Sequence, residues 1–278
     1  MPIIETVKLL KDARANHYAV GAFNIDNLDM AKAVIEAAEQ RKQPVIIQTT
    51  YTTVNHGSAA AYAGMINGMA SESTAEIALH LDHGNSYEIC AKAIDNHYTS
   101  VMIDGSSLPL YRNIDITKQV VDYAKLKGIS VEGELGRVGG IEDEVEFSDT
   151  VYTDVNECIE FVNKTGIDFI AIGVGTAHGI YNRVPNVNIL RIQEIYEAVS
   201  IPLVLHGASG LSEEIIRDSI KSGISKINFA TEVRMAYTEG VREALNEDAK
   251  LFDPKKFQMA GRIRVRELVL YKMRLLNN

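Results

Sequence analysis

The chain has 278 residues, of which 46% are hydrophobic and 23% charged, a globular composition that excludes disordered, fibrous and membrane-embedded classes. Lys and Arg number 28 against 37 Asp and Glu, a formal net charge of -9. A broad basic footprint for nucleic acid or anionic lipid is therefore not expected, and an anionic ligand has to be held by local features.

The opening segment, residues 3–15, reads as a helix. After it, apolar β-rich runs recur in order: AVGAF (19–23), PVIIQT (44–49), EIALHLD (76–82), SVMID (100–104), ISVEGEL (129–135), DFIAIG (168–173), IPLVLH (201–206) and ISKINFA (224–230). Between them lie amphipathic stretches such as LDMAKAVIEAAEQRK, VNECIEFVNKTG and SEEIIRDSIKSG, whose apolar residues fall at three- and four-residue spacing. Gly128, Gly166 and Gly223 stand where left-handed helix ends belong, and Pro44 and Pro202 stand at strand starts. Residues 254–276 read as one or two terminal helices.

Eight strand-helix units with no Pro-, Ser- or Gly-rich linker predict one domain over 1–278, a (β/α)8 TIM barrel with an N-terminal helix and a C-terminal helical extension. An open doubly wound sheet is the rival. It would place a glycine-rich phosphate loop after the first strand, where this chain has FNIDNLDM, and GVGTAH is no GxGxxG fingerprint. Cys90 and Cys158 belong to no CxxC pair, which predicts free thiols. The first residues resemble neither a signal nor a transit peptide, and no apolar run is long enough for a membrane span, so the expected location is the cytoplasm.

Barrel active sites lie at the C-terminal ends of the strands, where alternate residues face inward. Asn24, Asp82, Asp104, Glu134, His206 and Asn228 end strands, and His83 and His178 follow strands three and six. Such a ring of polar groups needs a metal, a ligand or mutual partners. HLDHG (80–84), GTAHG (175–179) and LHGASG (205–210) each put a histidine beside glycine after a strand. Brought together by a barrel, His83, His178 and His206 would make a three-imidazole zinc site with room for a substrate oxygen. His17, His56, His80 and His97 read as structural or surface groups.

The turns after strands seven and eight, where barrels commonly hold phosphate, are Gly207-Ala208-Ser209-Gly210, leading to Ser212 as a helix cap, and Asn228-Phe229-Ala230-Thr231. Residues 136–152 form a long acidic, glycine-containing loop that reads equally as a mobile lid or a solvated surface loop.

In these residues the sequence resembles the class II, metal-dependent ketose-bisphosphate aldolases, particularly the tagatose-bisphosphate branch. YAVGAFN, HLDHG, SVMIDGS, VEGELGRVGGIED, GTAHGIY, LVLHGASG and KINFATE match that family's blocks in order, nearly end to end. The resemblance implies that His83, His178 and His206 bind zinc, that Asp82 is the catalytic acid/base, and that Asp104 with Glu134 offers an alternative metal position. It implies substrate or phosphate contacts from Gly179, Gly207, Ser209, Asn228 and Thr231, a monovalent cation (Na+ or K+) nearby, and a homodimer or homotetramer. Arg262, with Arg264 and Arg266 as neighbours, corresponds in some relatives to an arginine that reaches the distal phosphate of a neighbouring subunit.

Two departures bear on substrate. Fructose-type members usually carry Asn or Asp where this chain has Ala230, as the tagatose type does, which favours tagatose 1,6-bisphosphate over fructose 1,6-bisphosphate; a related branch cleaves a phosphorylated deoxyketonic acid from inositol breakdown. QTTYTTVNHG (48–57) also lacks the Ser-rich or Gly-Ala version expected after strand two.

Three other readings compete. Lys226 shares the inward parity of Asn228 and suits a Schiff-base aldolase, although Glu132 lies at a depth to pair with it. A different zinc barrel could use a metal-bound water as a hydrolase. A non-catalytic sugar-phosphate-binding subunit would keep the barrel but need neither Asp82 nor three histidines.

Overall fold

A computed structural model describes residues 3–142, 145–147, 151–181 and 185–277. Helix α1 (Thr6–Asn16) precedes β1 (Val20–Asn24), α2 (Leu28–Arg41) and β2 (Val45–Thr50). Two helices follow, α3 (Tyr51–His56) and α4 (Ala59–Glu72), then β3 (Ile77–Gly84), α5 (Tyr87–Asp95), β4 (Ser100–Ile103), α6 (Leu110–Lys125) and β5 (Ser130–Leu135). Short strands β6 (Gly139–Glu142) and β7 (Val145–Phe147) lead to α7 (Val155–Thr165), β8 (Phe169–Ile172) and β9 (Ala177–His178). The chain ends with α8 (Ile189–Ala198), β10 (Leu203–Leu205), α9 (Glu213–Lys221), β11 (Ile224–Phe229), α10 (Thr231–Glu247) and α11 (Pro254–Leu276). The terminal extension is thus one continuous helix after the α10 connection.

Eight of these strands close a parallel barrel in the order β1-β11-β10-β8-β5-β4-β3-β2, the TIM barrel that the alternating pattern predicts. Helices begin where polar side chains cap them. Asn27, Ser58, Ser86, Asp154, Asn188 and Ser212 each accept a bond from a backbone N–H of the first turn, satisfying donors that a helix start leaves open.

Two apolar layers follow from strand alternation. Outward residues such as Phe23, Ile47, Leu79, Ile103 and Leu205 pack against the helices. Inward residues Val20, Ala22, Ile46, Ala78, Met102, Phe169, Ala171 and Val204 fill the lumen, closed from below by Leu9, Leu10 and Ala13 of α1. Further along β1, β2 and β3, and on β5 and β11, the inward residues are polar and buried: Asn24, Gln48, His80, Asp82, Glu132, Glu134, Lys226 and Asn228. The lumen therefore changes from apolar to ionic along its axis without any change of strand parity.

Within residues 136–152 the described part contains β6 and β7. β6 pairs antiparallel with β7 and parallel with β9, a small three-stranded sheet separate from the barrel, whereas 143, 144 and 148–150 lie outside the described residues. QTTYTTVNHG ends β2 and forms α3. There Thr53 donates to Asp26 at 2.7 Å and Asp26 pairs with Arg234 at 3.0 Å, tying this loop to α10.

Candidate active site

Asp82 closes the inward row of β3 and is almost wholly buried. Its Oδ2 accepts from Asn24 Nδ2 at 2.8 Å and its Oδ1 from Asn228 Nδ2 at 3.0 Å. Gln48 Nε2 in turn donates to Asn24 Oδ1 at 2.7 Å. Amides from β1 and β11 therefore hold the carboxylate from both sides, and the β2 amide holds the first of them in turn. Sequence reasoning did not single out Gln48, although its inward parity and its place near the end of β2 were readable.

His83 lies inside β3, which continues to Gly84, rather than beyond the strand. Regular alternation would point it away from Asp82. The β3–β4 register shifts between Leu81 and Gly84, and His83 takes φ 47°, a left-handed conformation uncommon for a non-glycine residue. This local irregularity lets neighbouring side chains reach one site. Gly84 permits it, because a Cβ there would strike the carbonyl of Met102 and come within 2.7 Å of Cys90 Sγ. The spacing of HLDHG thus has a steric basis.

His206 immediately follows β10 and is fully buried. Its Nε2 lies 2.9 Å from Glu132 Oε1, and Glu132 Oε2 accepts from Lys226 Nζ at 2.7 Å. The sequence-level pairing of Lys226 with Glu132 is therefore present. Burial lowers the His206 pKa against the opposing pull of Glu132, with His83 lowering it further, so its imidazole is held neutral. Burial works to raise the Glu132 carboxyl, but Lys226 and His206 outweigh it and hold it below the ordinary carboxylate range. His80 lies beneath, with Nδ1 2.7 Å from Ser100 Oγ. Burial and Lys226 push its pKa well down, in keeping with a structural histidine.

His83 Nδ1 sits 3.0 Å from Asp104 Oδ2. Burial opposes ionisation of Asp104, but hydrogen bonds from His83 and Ser106 prevail and hold its carboxyl low. The other nitrogen of each ring turns inward, with His83 Nε2 and His206 Nδ1 3.0 Å apart. His178, carried by β9 against β6, completes the group: its ring centroid is 5.0 Å from that of His83 and 5.9 Å from that of His206.

Ligand atoms of His83, His178 and His206 lie within 4.8 Å of one another, as do those of His83, Asp104 and Glu134. A carboxylate behind an imidazole whose far nitrogen faces a shared point is the arrangement that orients metal-binding histidines. The residues therefore fit a zinc ion, with three nitrogen donors and carboxylates at a second position.

Beside the histidines, His178, Gly179, Gly207, Ala208, Ser209, Asn228, Ala230 and Thr231 line one cleft. All five expected substrate contacts, Gly179, Gly207, Ser209, Asn228 and Thr231, are among them. Gly207 adopts φ 65°, and a Cβ there would approach the Ala177 carbonyl to 2.6 Å. Tyr181 fixes that approach: its hydroxyl donates to the Gly207 carbonyl at 2.7 Å and accepts from the Ala177 amide at 2.8 Å. No spacing rule reveals that bridge in the sequence. Across the cleft Ser209 Oγ accepts from the Glu232 amide of α10 at 3.4 Å, joining the two phosphate-type loops.

Arg262, which the resemblance would carry toward a neighbouring subunit's phosphate, lies on α11. Its guanidinium is held by Glu36 of α2, mostly buried between helices. Arg264 pairs with Glu243 of α10.

The family model described as "Fructose-bisphosphate aldolase class-II" matches residues 4–278. The chain is 42% identical over 277 residues to a fructose-bisphosphate aldolase of Geobacillus stearothermophilus, covering 99% of this chain and 96% of that one. Among solved structures, the YdjI aldolase of Escherichia coli K12 superposes with TM-score 0.87 at 35% identity, covering 100% and 98% of the two chains. A putative fructose-1,6-bisphosphate aldolase of Coccidioides immitis gives 0.90 at 29% identity, with 98% and 96% covered.

Proposed function

The chain belongs to the class II fructose-bisphosphate aldolase family, which makes it a lyase, and from that premise we propose that it cleaves a ketose 1,6-bisphosphate reversibly to dihydroxyacetone phosphate and glyceraldehyde 3-phosphate. The observation that carries this reading is the convergence of three mutually facing histidines beside the cleft, with Asn228 reaching both His206 and the Asp82 carboxylate.

His83, His178 and His206 are the residues that would hold zinc, which when bound supplies Lewis-acid polarisation of a carbonyl and stabilisation of negative charge next to it. Asp82 takes the C4 hydroxyl proton as the C3–C4 bond breaks; the C4 oxygen becomes the aldehyde carbonyl, and the electron pair of the broken bond stays on the three-carbon fragment, which takes up a proton at C3 to leave as dihydroxyacetone phosphate. In the condensation direction Asp82 returns the C4 hydroxyl proton. Asn24 and Asn228 each occupy one lone-pair direction of the carboxylate, so Asp82 meets the substrate in a fixed orientation. The glycine-rich walls of the cleft bring backbone donors and the start of α10 to a phosphate, with Ser209 and Thr231 as hydroxyl partners. A Na+ or K+ beside that phosphate and a homodimer or homotetramer belong to the same proposal.

Tagatose 1,6-bisphosphate is the favoured sugar. Ala230, the position that separates the two types in the resemblance, lines the cleft itself. The relatives named fructose-bisphosphate aldolase make fructose 1,6-bisphosphate the second reading. Lys226 as a Schiff base is disfavoured by its complete burial and its ion pair with Glu132.

The test is a coupled cleavage assay of both sugars by the purified chain before chelation, after it, and after zinc is restored. Activity that vanishes with chelator and returns with zinc is expected, with the larger kcat/KM on tagatose 1,6-bisphosphate. Chelator-resistant cleavage overturns the zinc reading; a ratio favouring fructose overturns the sugar assignment. No cleavage of either sugar directs the search to the inositol-derived ketonic acid or to a binding role.

A further inference from the structure

Helix α11 buries Gly261, Val265, Val269, Met273, Leu275 and Leu276, and in the midst of this face a lysine, Lys272, 3% exposed. For packing alone an apolar residue would serve better there, since a buried ammonium loses its hydration and gains only if it is well paired. Its pairing is specific. Lys272 Nζ lies 2.7 Å from Glu232 Oε2 and 5.0 Å from the centre of the Phe229 ring. Phe229 and Glu232 flank Ala230 and Thr231, which line the cleft, and the Glu232 amide is the donor to Ser209. Glu232 is thus an acid in the first turn of the helix proposed to face a phosphate. Unpaired, its charge would oppose a dianion there.

The preceding residue repeats the contact on the other helix of the pair. Tyr271 Oη donates to Glu213 Oε1 at 2.8 Å, in the first turn of α9, which follows the Gly207–Gly210 turn. Adjacent residues of one helix therefore grip the opening turns of both helices that follow the phosphate-type loops.

We infer that Lys272 is a positioning residue for phosphate recognition: it neutralises Glu232 and fixes the start of α10 against Ser209, with Tyr271 steadying α9 in parallel. The inference rests on the cleft being the phosphate site. Lys272 touches no substrate and acts through Glu232.

The test measures binding of inorganic phosphate by calorimetry, and kcat and KM for the preferred ketose bisphosphate, on the zinc-loaded full chain. Lys272→Met is expected to weaken phosphate binding about ten-fold and raise KM by a similar factor, with kcat within about two-fold. Lys272→Arg is expected to retain parental binding, and Lys272→Met with Glu232→Gln to restore it to within about two-fold, because the unpaired acid is gone. Parental phosphate binding by a folded Lys272→Met chain, or a double variant as weak as the single, overturns the proposal. If Lys272→Met does not fold, Glu232→Gln alone decides. It is expected to bind phosphate no more weakly than the parent, and loss of binding overturns the role assigned to the lysine. A parent that cleaves substrate yet shows no saturable phosphate binding removes the cleft reading, and this inference with it.

Discussion

The two ends of the barrel lumen are built by one closed ring of strands with the same alternation, yet they do different work. At the bottom, Leu9 and Leu10 of α1 press against Val20, Ile46, Met102 and Phe169, an apolar plug with no polar partner to satisfy. At the mouth, Asp82, Glu134, His206 and Asn228 occupy inward positions at the ends of β3, β5, β10 and β11, and each polar atom needs a partner. Burial of apolar area stabilises the lower half in proportion to the area removed from water. The upper half holds its charges in place through hydrogen bonds and leaves some valences for a metal and substrate. Between them Lys226, Glu132 and His80 form an ionic layer, tied to the bottom through Ser100 and Thr6 and to the mouth through His206. Separating stability from chemistry is thus a matter of depth along one axis.

That division can be tested at several depths. Asp82→Ala, at the mouth, is expected to lower kcat by about a thousand-fold, the range of a lost general acid/base, while the protein still binds zinc and unfolds at a similar denaturant concentration. Steady-state kinetics with metal analysis checks this, and turnover near the parental rate removes Asp82 from the role. In the ionic layer, Lys226→Met strands the buried Glu132 carboxylate and is expected to cost about 3–5 kcal/mol. Adding Glu132→Gln should recover much of that loss, which urea unfolding of both variants measures; equal destabilisation of the single and double variants would mean that the pair is not coupled.

A smaller effect follows from pH. His80 and His206 have folded-state pKa values below 6.5, so they bind fewer protons folded than unfolded. Their contribution is complete above about pH 6.5 and declines as pH falls through that value. Glu132, lowered from 4.5, contributes fully above about that pH and loses its share below it. The Tm of the metal-free protein is therefore expected to drop in two stages from pH 7 to pH 4, and a flat profile over pH 7 to 5 would contradict buried neutral imidazoles. The smallest change is Gln48→Ala, which leaves Asn24 without its donor at the mouth. It is expected to reduce kcat about ten-fold, near the net value of one good hydrogen bond, with little change in zinc affinity.

Much of this organisation was legible in the sequence because it obeys periodic rules. Eight β-rich runs between amphipathic helices specify the barrel, and inward parity at strand ends picked out Asn24, Asp82, Glu134 and Asn228. The cleft residues were legible because two glycine-rich turns adjoin in a barrel. What escaped was set by closure of the barrel or by breaks in periodicity. Gln48 acquires meaning only when β2 stands beside β1 and β3. Tyr181 bridges two loops whose approach depends on Gly207. The pairing of Arg262 with Glu36 follows no motif, since the two lie 226 residues apart in sequence. Lys272 was hidden for a related reason, since a lone lysine on a terminal amphipathic helix looks like solvated surface until the helix is docked.

The left-handed backbone at His83 also bears on engineering. A residue in that conformation carries a conformational penalty of roughly 1–2 kcal/mol relative to glycine, which adopts it freely. His83→Gly would therefore discard the proposed ligand and relieve the backbone in one step, whereas alanine would discard that imidazole and keep the penalty. An inactive scaffold made with glycine at this position should be more thermostable than its alanine counterpart. The imidazole proposed to hold the metal would then be seen to occupy a place on the chain that folding alone would have given to another residue.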